Sequence, residues 1–393
     1  MLLPLIKKIK DNNEHNVIVF ALTTAFQYFH GMGIECVRYM NFTHLSVTDD
    51  WEQFGIQAIG AVDDYTGRIP YEESLAYHGI NYADLVSQLG IKKAKLEYHQ
   101  ASRACFHPIN FMRNVLECIE PNLVVATNSP RSERSIIEAS NVLGIKSICL
   151  VDLFATFEYH WISRPHFATK VLVLNDSVKS FLVSKGRNEN DIVITGNPAF
   201  DSIYDDNVLE VSKKLGANKY KNNKINILFA SQIEPKTHPL NGRVGDVDLP
   251  KINEKMVRDL VKENDDYRLI IRYHPSQNVP FQKAKNVVLS PRDEPLHCML
   301  HCMDIVVVSS STVGLEAYLA GKKVITIETG VFFPDDCRYS EDGISLGVKS
   351  KDQLLIAIQE LTVEIRQGVN QKKHHDLATP KICYVIEQLL LDA

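Results

Sequence analysis

The 393-residue chain contains no run of ~18 apolar residues, the length a helix needs to cross a bilayer. No secretory leader is expected either. MLLPLIKKIK puts a short apolar run before its lysines, the reverse of a secretory signal, so a cytoplasmic location is expected. Excess charge of one sign is absent. A formal net charge of -5 gives no bulk attraction to nucleic acid or anionic lipid, and no nucleic-acid partner is expected. Peripheral membrane association would have to rest on a local basic patch. Cysteine is sparse: eight are scattered without framework spacing, as expected of free thiols in a reducing compartment. There is no GxxxxGK[ST] loop and no GxSxG elbow, which argues against P-loop nucleotide hydrolysis and against a serine esterase of the α/β-hydrolase kind. Internal repeats and low-complexity tracts are lacking too.

What remains is a balanced globular composition, with 45% hydrophobic and 23% charged residues, on a length that suits two domains. Short β-branched runs alternate with helical stretches. In the first half the strand candidates are Asn16–Ala21, Ile34–Tyr39, Asn122–Ala126, Ile145–Val151 and Lys170–Asn175. Helices are expected at Ala25–His30, ended by Gly31 and Gly33, and at Ser132–Leu143, closed by Gly144. A polar Asn- and Lys-rich stretch, Asp205–Lys224, interrupts the pattern. The alternation restarts with Ile225–Ala230, Arg268–Tyr273, Asn286–Leu289, Asp304–Ser309 and Lys323–Ile327. Strand, helix, glycine, strand in series predicts parallel sheets with helices on both faces. The fold class expected is α/β, two Rossmann-like doubly wound domains facing each other across a cleft. Their limits are 1–204 for the first and 205–379 for the second. A last helix, 380–393, would pack back on the first domain.

Ligands of such sheets sit beyond the carboxyl ends of the strands, so chemistry is sought there. DIVVVSSSTVGLEAYLAGKKVITIE runs strand, small polar loop, helix, glycine, strand. Ser309, Ser310, Ser311 and Thr312 stand at the helix start, whose unpaired N–H groups and dipole suit a phosphate. Glu316 follows one turn later, placed for ribose hydroxyls. A plain Ser or Thr cap would explain one hydroxyl; four hydroxyls and the glutamate favour a ligand. His274-Pro275 follows directly on an apolar strand. The proline turns the chain outward, and the histidine can donate to a phosphate.

In the first domain, TNSPRSERSIIEAS opens a helix. Arg131, Glu133 and Arg134 there suit an acceptor sugar as well as they suit helix-end electrostatics. Asp152 and Glu158 follow the next strand, and Asp63 and Asp64 sit in a turn. Asp152 or Asp64 is the expected general base, and the residues alone do not choose between them. VITGNPAFDSI reads as a joining turn. In LHCMLHCMD, His297 and His301 share one helix face while Cys298 and Cys302 share the next. Four such ligands on one helix cannot surround a tetrahedral metal, and two could do so only with partners elsewhere, so no metal is expected; no cofactor is expected either.

The order strand, Ser/Thr loop, Glu-Ala, Gly resembles the donor half of GT-B glycosyltransferases and of the related non-hydrolysing UDP-GlcNAc 2-epimerases. The resemblance covers roughly Asn122–Leu361. The His-Pro step with a downstream Ser/Thr run is also similar to bacterial sialyl-, Kdo- and CDP-glycerol-type transferases of capsule and wall polysaccharides. The resemblance implies that His274, Pro275, Ser309, Ser310, Ser311 and Thr312 hold the donor nucleotide and its phosphate, and Glu316 its ribose. It further implies a CMP- or UDP-sugar donor and a saccharide or lipid-linked saccharide acceptor. Three stretches depart from the epimerase pattern: CLVDLFA stands for its HVEAG-like stretch, ASQIEPKTH for GHRRE, and SSST for DSGG. The reading favoured is therefore a metal-independent glycosyltransferase of surface-polysaccharide synthesis. The alternatives are a nucleotide-sugar 2-epimerase or hydrolase, and a non-catalytic nucleotide-sugar-binding protein.

Overall fold

The computed structural model describes all residues except 23, 62–68, 222, 239–241, 334–336, 370–376 and 392–393. The chain divides into two compact units. One comprises Met1–Ala199 with Leu377–Ala393, the other Phe200–Asp376. Each is a Rossmann-like α/β unit with a parallel sheet. Among the described residues no helix is long and apolar enough to cross a membrane.

The first unit holds four parallel strands: β1 (Leu123–Thr127), β2 (Lys146–Leu150), β3 (Lys170–Val173) and β4 (Ile192–Ile194), in the order β1-β2-β3-β4. Strand β2 is buried from Ser147 to Leu150 without alternation, as expected of a strand covered on both faces. On β1, Val124 joins one apolar cluster while Leu123 and Val125 join another, as side chains of a pleated strand must. The helix Ala378–Leu391 covers the second cluster with Ile382, Ile386 and Leu389. Helices Trp51–Ala61 and Tyr71–Leu89 meet through glycine. A Cβ at Gly79 would stand 2.1 Å from the Trp51 carbonyl oxygen.

The first two expected strands do not form. Asn16–Ala21 and Ile34–Tyr39 meet only as a parallel bridge at Phe20 and Val37. Val37 exchanges two bonds, receiving from Ala21 N–H at 2.8 Å and donating to the Val19 carbonyl at 2.8 Å. Beyond it the backbone is captured by a side chain. The buried Glu73 carboxylate accepts the N–H groups of Tyr39 and Met40, each at 3.2 Å, where a ladder would have continued. The chain then turns into a 3-10 segment, Tyr39–Leu45.

The second unit holds six parallel strands: β5 (Ile225–Ala230), β6 (Tyr267–Arg272), β7 (Val287–Leu289), β8 (Ile305–Val308), β9 (Lys323–Ile327) and β10 (Leu346–Val348). Their order is β10-β9-β8-β5-β6-β7. The chain thus builds outward from β5 through β6 to β7, then returns to the other side of β5 and builds outward again. The order reverses between β5 and β8, and a ligand crevice is expected at their carboxyl ends. Helices Leu249–Glu263 and Lys351–Arg366 press Val257, Leu354 and Ile358 onto Phe229, Ile271 and Val307 of this sheet.

Candidate functional site

Ser309, Ser310 and Ser311 leave the end of β8 and lead into the helix Thr312–Leu319. Ser311 is its N-cap: the hydroxyl accepts the Val313 N–H at 3.3 Å, and Tyr339 donates to the Ser311 carbonyl at 3.0 Å. Ser309 is held from the side by Asn253, which donates to its hydroxyl at 3.1 Å. Ser310 is half-buried, and among the described residues its hydroxyl makes no hydrogen bond. The helix approaches the sheet closely because position 314 is glycine. A Cβ there would stand 2.8 Å from Val308 Cγ2 and 2.9 Å from Tyr339 Cε2. The first turn is thus largely satisfied: Val313 N–H goes to the Ser311 hydroxyl, Gly314 N–H to the Ser311 carbonyl at 3.0 Å and Leu315 N–H to Tyr339, and among the described residues Thr312 N–H is left for a ligand.

Glu316 is buried and held in a line of polar groups. Thr312 Oγ1 donates to Oε1 at 3.1 Å, and His297 Nε2 pairs with Oε2 at 2.7 Å. On the far side His297 Nδ1 meets Ser202 Oγ at 2.8 Å. With Nε2–H given to the carboxylate, Nδ1 accepts the Ser202 proton. The carboxylate is thereby fixed in one rotamer. Ser202 and His297 lie far apart in sequence, and no local pattern connects either with Glu316.

His274 sits two residues past the end of β6, next to β5. Its own N–H goes to Gln277 Oε1 at 2.9 Å, and Ser276 N–H donates to Nδ1 at 3.1 Å. A ring nitrogen that accepts carries no proton in the neutral ring, so the proton is on Nε2. Among the described residues Nε2 has no partner, so a donor is left at the carboxyl edge of the sheet. Pro275 is exposed beside it.

The loop after β5 supplies a group that the sequence reading passed over. Glu234 lies in a pocket with Gln232, Ser309, Ser310 and Phe333, between the ends of β5 and β8. The residue is only 8% exposed. Its Oε1 accepts the Asp246 N–H at 2.8 Å and the Val331 N–H at 3.4 Å. Among the described residues Oε2 makes no hydrogen bond, and it lies so near Gly330 that a Cβ there would be 2.7 Å away. The hint in the sequence was ASQIEPKTH directly after an apolar strand, the stretch that stands in place of the GHRRE of the epimerase pattern.

In the first unit the candidates are engaged with one another. Asn128 and Asp152 form a reciprocal pair: Asn128 Nδ2 donates to Asp152 Oδ1 at 3.0 Å, and Asp152 N–H donates back to Asn128 Oδ1 at 3.0 Å. Asn197 Nδ2 donates to the Asp152 carbonyl at 2.8 Å, which ties the loops after β1, β2 and β4 together. Burial pushes the nearby Glu158 carboxyl above its ordinary value, and the Asp152 charge adds to the shift. Arg134 donates to Glu138 at 2.8 Å and lies over the Trp161 ring. Burial alone would raise the Glu138 carboxyl, but His107 and Arg134 outweigh it and hold the group at about 2. Arg131 adopts a left-handed φ of 70° at the helix start and hydrogen-bonds Tyr77. Burial also raises Glu133, against its own N–H and Arg131. Asp63 and Asp64 lie outside the described residues. Of the His/Cys set in the second unit, His301 donates to the Ile203 carbonyl at 2.8 Å and Cys302 to that of Ser212 at 3.4 Å, while His297 holds Glu316.

No protein-family model matches the chain, and no curated protein matches it in sequence. Solved structures do match. A UDP-GlcNAc 2-epimerase from Methanocaldococcus jannaschii has a TM-score of 0.56 at 13% identity, covering 98% of this chain and 96% of that one. A UDP-GlcNAc 2-epimerase from Neisseria meningitidis, bound to UDP-GlcNAc, has a TM-score of 0.54 at 16% identity, covering 71% of this chain and 80% of that one. The glycotransferase of kitacinnamycin has a TM-score of 0.55 at 12% identity, covering 99% of this chain and 95% of that one. At such identities the likeness is one of fold: the chain has the GT-B-type fold that UDP-GlcNAc 2-epimerases and this glycosyltransferase share.

Proposed function

We propose that the protein is an enzyme acting on a nucleotide-activated sugar, a CMP- or UDP-sugar, held by its second unit. The observation that carries the reading is the switch point. Beyond β8 lies a capped helix start, beyond β6 a histidine whose Nε2–H has no partner among the described residues, and one turn into the helix a fixed glutamate. A helix start and an N–H donor suit phosphate, and an acceptor-only carboxylate suits a ribose diol. In this reading Ser310, Ser311 and His274 hold the phosphate, Glu316 the ribose, and Pro275 and Ser309 shape the loops.

The chemistry proposed is glycosyl transfer to a saccharide or lipid-linked saccharide. An acceptor oxygen bonds to the anomeric carbon as the bond from that carbon to the phosphate oxygen breaks. The hydroxyl proton passes to a carboxylate of the first unit, for which Asp152 is the candidate, and the charge leaving with the nucleotide is met by His274 Nε2–H and the helix start. A second reading, 2-epimerisation of a UDP-sugar, is favoured by the fold of the solved structures that match. The losses at CLVDLFA, ASQIEPKTH and SSST weigh against it.

Calorimetry of the wild type against CMP, CDP, UDP and GDP tests the site, and binding of none of them would remove the reading. Incubation with UDP-GlcNAc alone, followed by proton NMR, separates the two chemistries. Appearance of the C2 epimer without an acceptor would replace transfer by epimerisation.

A further inference from the structure

We propose that the pocket around Glu234 receives the sugar of the donor, and that this sugar is neutral, with Glu234 accepting hydrogen bonds from its hydroxyls. The proposal rests on the nucleotide-sugar reading above and goes beyond it by naming the subsite and the chemical class of the sugar. The helix start at Ser310–Thr312 fixes where a phosphate would sit. Ser309 and Ser310, the two residues that lead into this helix start, also line the Glu234 pocket. A nucleotide whose outer phosphate sits at this helix start carries the group on that phosphate next to the pocket that Glu234 shares with Ser309 and Ser310.

The pocket's chemistry selects what that group can be. A carboxylate takes hydrogen bonds and gives none. Its Oε1 is already held by two backbone N–H groups, so its direction is set before a ligand arrives, and Oε2 is the atom left to bind. Two hydroxyls, Ser309 and Ser310, and the Phe333 ring complete a wall suited to a hydroxylated ring. A sugar bearing its own carboxylate would bring a second negative charge against the buried Glu234 carboxylate, where like charges repel. Neutral sugars are thereby admitted and acidic ones, such as glucuronate or sialate, refused. Gly330 belongs to the same arrangement, since any side chain there would displace Oε2.

The test is calorimetry of UDP, UDP-GlcNAc and UDP-glucuronate against wild type, Glu234→Gln and Gly330→Ala. Gln keeps the shape and the oxygen that accepts the backbone bonds, so the fold is retained. Gly330→Ala leaves the carboxylate in place chemically but moves it. The expected result is that both variants bind UDP as wild type does and bind UDP-GlcNAc about 10-fold more weakly, the loss of one charge-assisted hydrogen bond. UDP-glucuronate should bind wild type no better than UDP and should gain in Glu234→Gln. Equal loss for UDP and UDP-GlcNAc, or no loss for either, overturns the subsite. Tighter binding of UDP-glucuronate than of UDP-GlcNAc by the wild type overturns the neutral class. If the wild type binds none of these nor CMP, the nucleotide-sugar reading fails first and this inference falls with it.

Discussion

At the carboxyl edge of the second unit's sheet, polar side chains are fixed yet keep capacity to bind: His274 presents Nε2–H and Glu234 presents Oε2, while Ser310 has its hydroxyl free among the described residues. At the same edge of the first unit, polar groups satisfy one another. Asn128, Asp152 and Asn197 tie three loops, and Arg134 is spent on Glu138 and Trp161. Sheet order underlies the contrast. In the second unit the order reverses between β5 and β8, so the two loops leave in opposite directions and open a crevice. The four strands of the first unit run in sequential order, and their loops lie side by side and bond across. The lesson is that similar strand–loop–helix sequence leaves polar groups with open hydrogen-bonding capacity at the edge of one unit and ties them into a framework in the other.

The largest effect expected belongs to the framework. Gly79→Ala forces a Cβ against the Trp51 carbonyl, and overpacking of this kind costs about 3 kcal/mol at the upper end. Urea denaturation should show it, while nucleotide affinity measured well below the transition stays unchanged; a stability as in wild type would show that these helices slide freely. Next is His274→Ala. Losing a hydrogen bond to a charged phosphate is worth about 2 kcal/mol, roughly 30-fold in nucleotide Kd, with little change in Tm. Arg134→Ala should leave Kd alone, and a Kd that moves with Arg134 but not with His274 would invert the comparison.

Asn128→Ala removes the reciprocal bonds to Asp152 and is expected to lower stability by about 1.5 kcal/mol with no effect on nucleotide binding. A smaller effect is expected from His297→Ala, which frees the Glu316 rotamer. Ribonucleotides should bind about 5-fold more weakly, near 1 kcal/mol, and 2′-deoxynucleotides should be unaffected. Equal weakening of both would make His297 a general prop rather than a positioning residue. The smallest effect is a pH dependence. The Glu138 carboxyl is held at about 2, below its value of ~4.3 in an unfolded chain. Its contribution is therefore fully present above the unfolded value and is lost as pH falls toward 2. Glu138→Gln should flatten the fall of Tm between those limits, and an identical acid limb in both proteins would assign the loss elsewhere.

Much of the second unit was legible because its strands are buried on both faces. INILFA and KVITI need no alternation to be recognised, and both form with the bounds expected of them. Strand β10 was missed because Leu346 and Gly347 are exposed and offer no apolar run. Strand β4 was hidden at the start of VITGNPAFDSI, where only Val193 and Ile194 of its three residues precede a turn. The helix Tyr71–Leu89 escaped notice because its inner face carries Glu73, His78, Asn81 and Asp84. Asp84, for one, is buried by accepting the Phe111 N–H at 2.7 Å, a bond no helical periodicity foretells. The first two strand candidates failed for the same reason, since Glu73 took the N–H groups that a ladder would have used.

By itself the sequence determined the alternation of buried strands and helices, the parallel α/β class that follows, and the helix start at Ser309–Thr312 with Glu316 behind it. These depend on contacts within one strand–loop–helix unit, where spacing and residue type are sufficient. Only the tertiary structure decided that β5 and β8 are neighbours, that Glu234 thereby shares a pocket with Ser309 and Ser310, and that His297 pairs with Glu316. Those outcomes join residues tens of positions apart through the order of strands in a sheet. That order is set by how helices cover both faces of the sheet, and no local pattern encodes it.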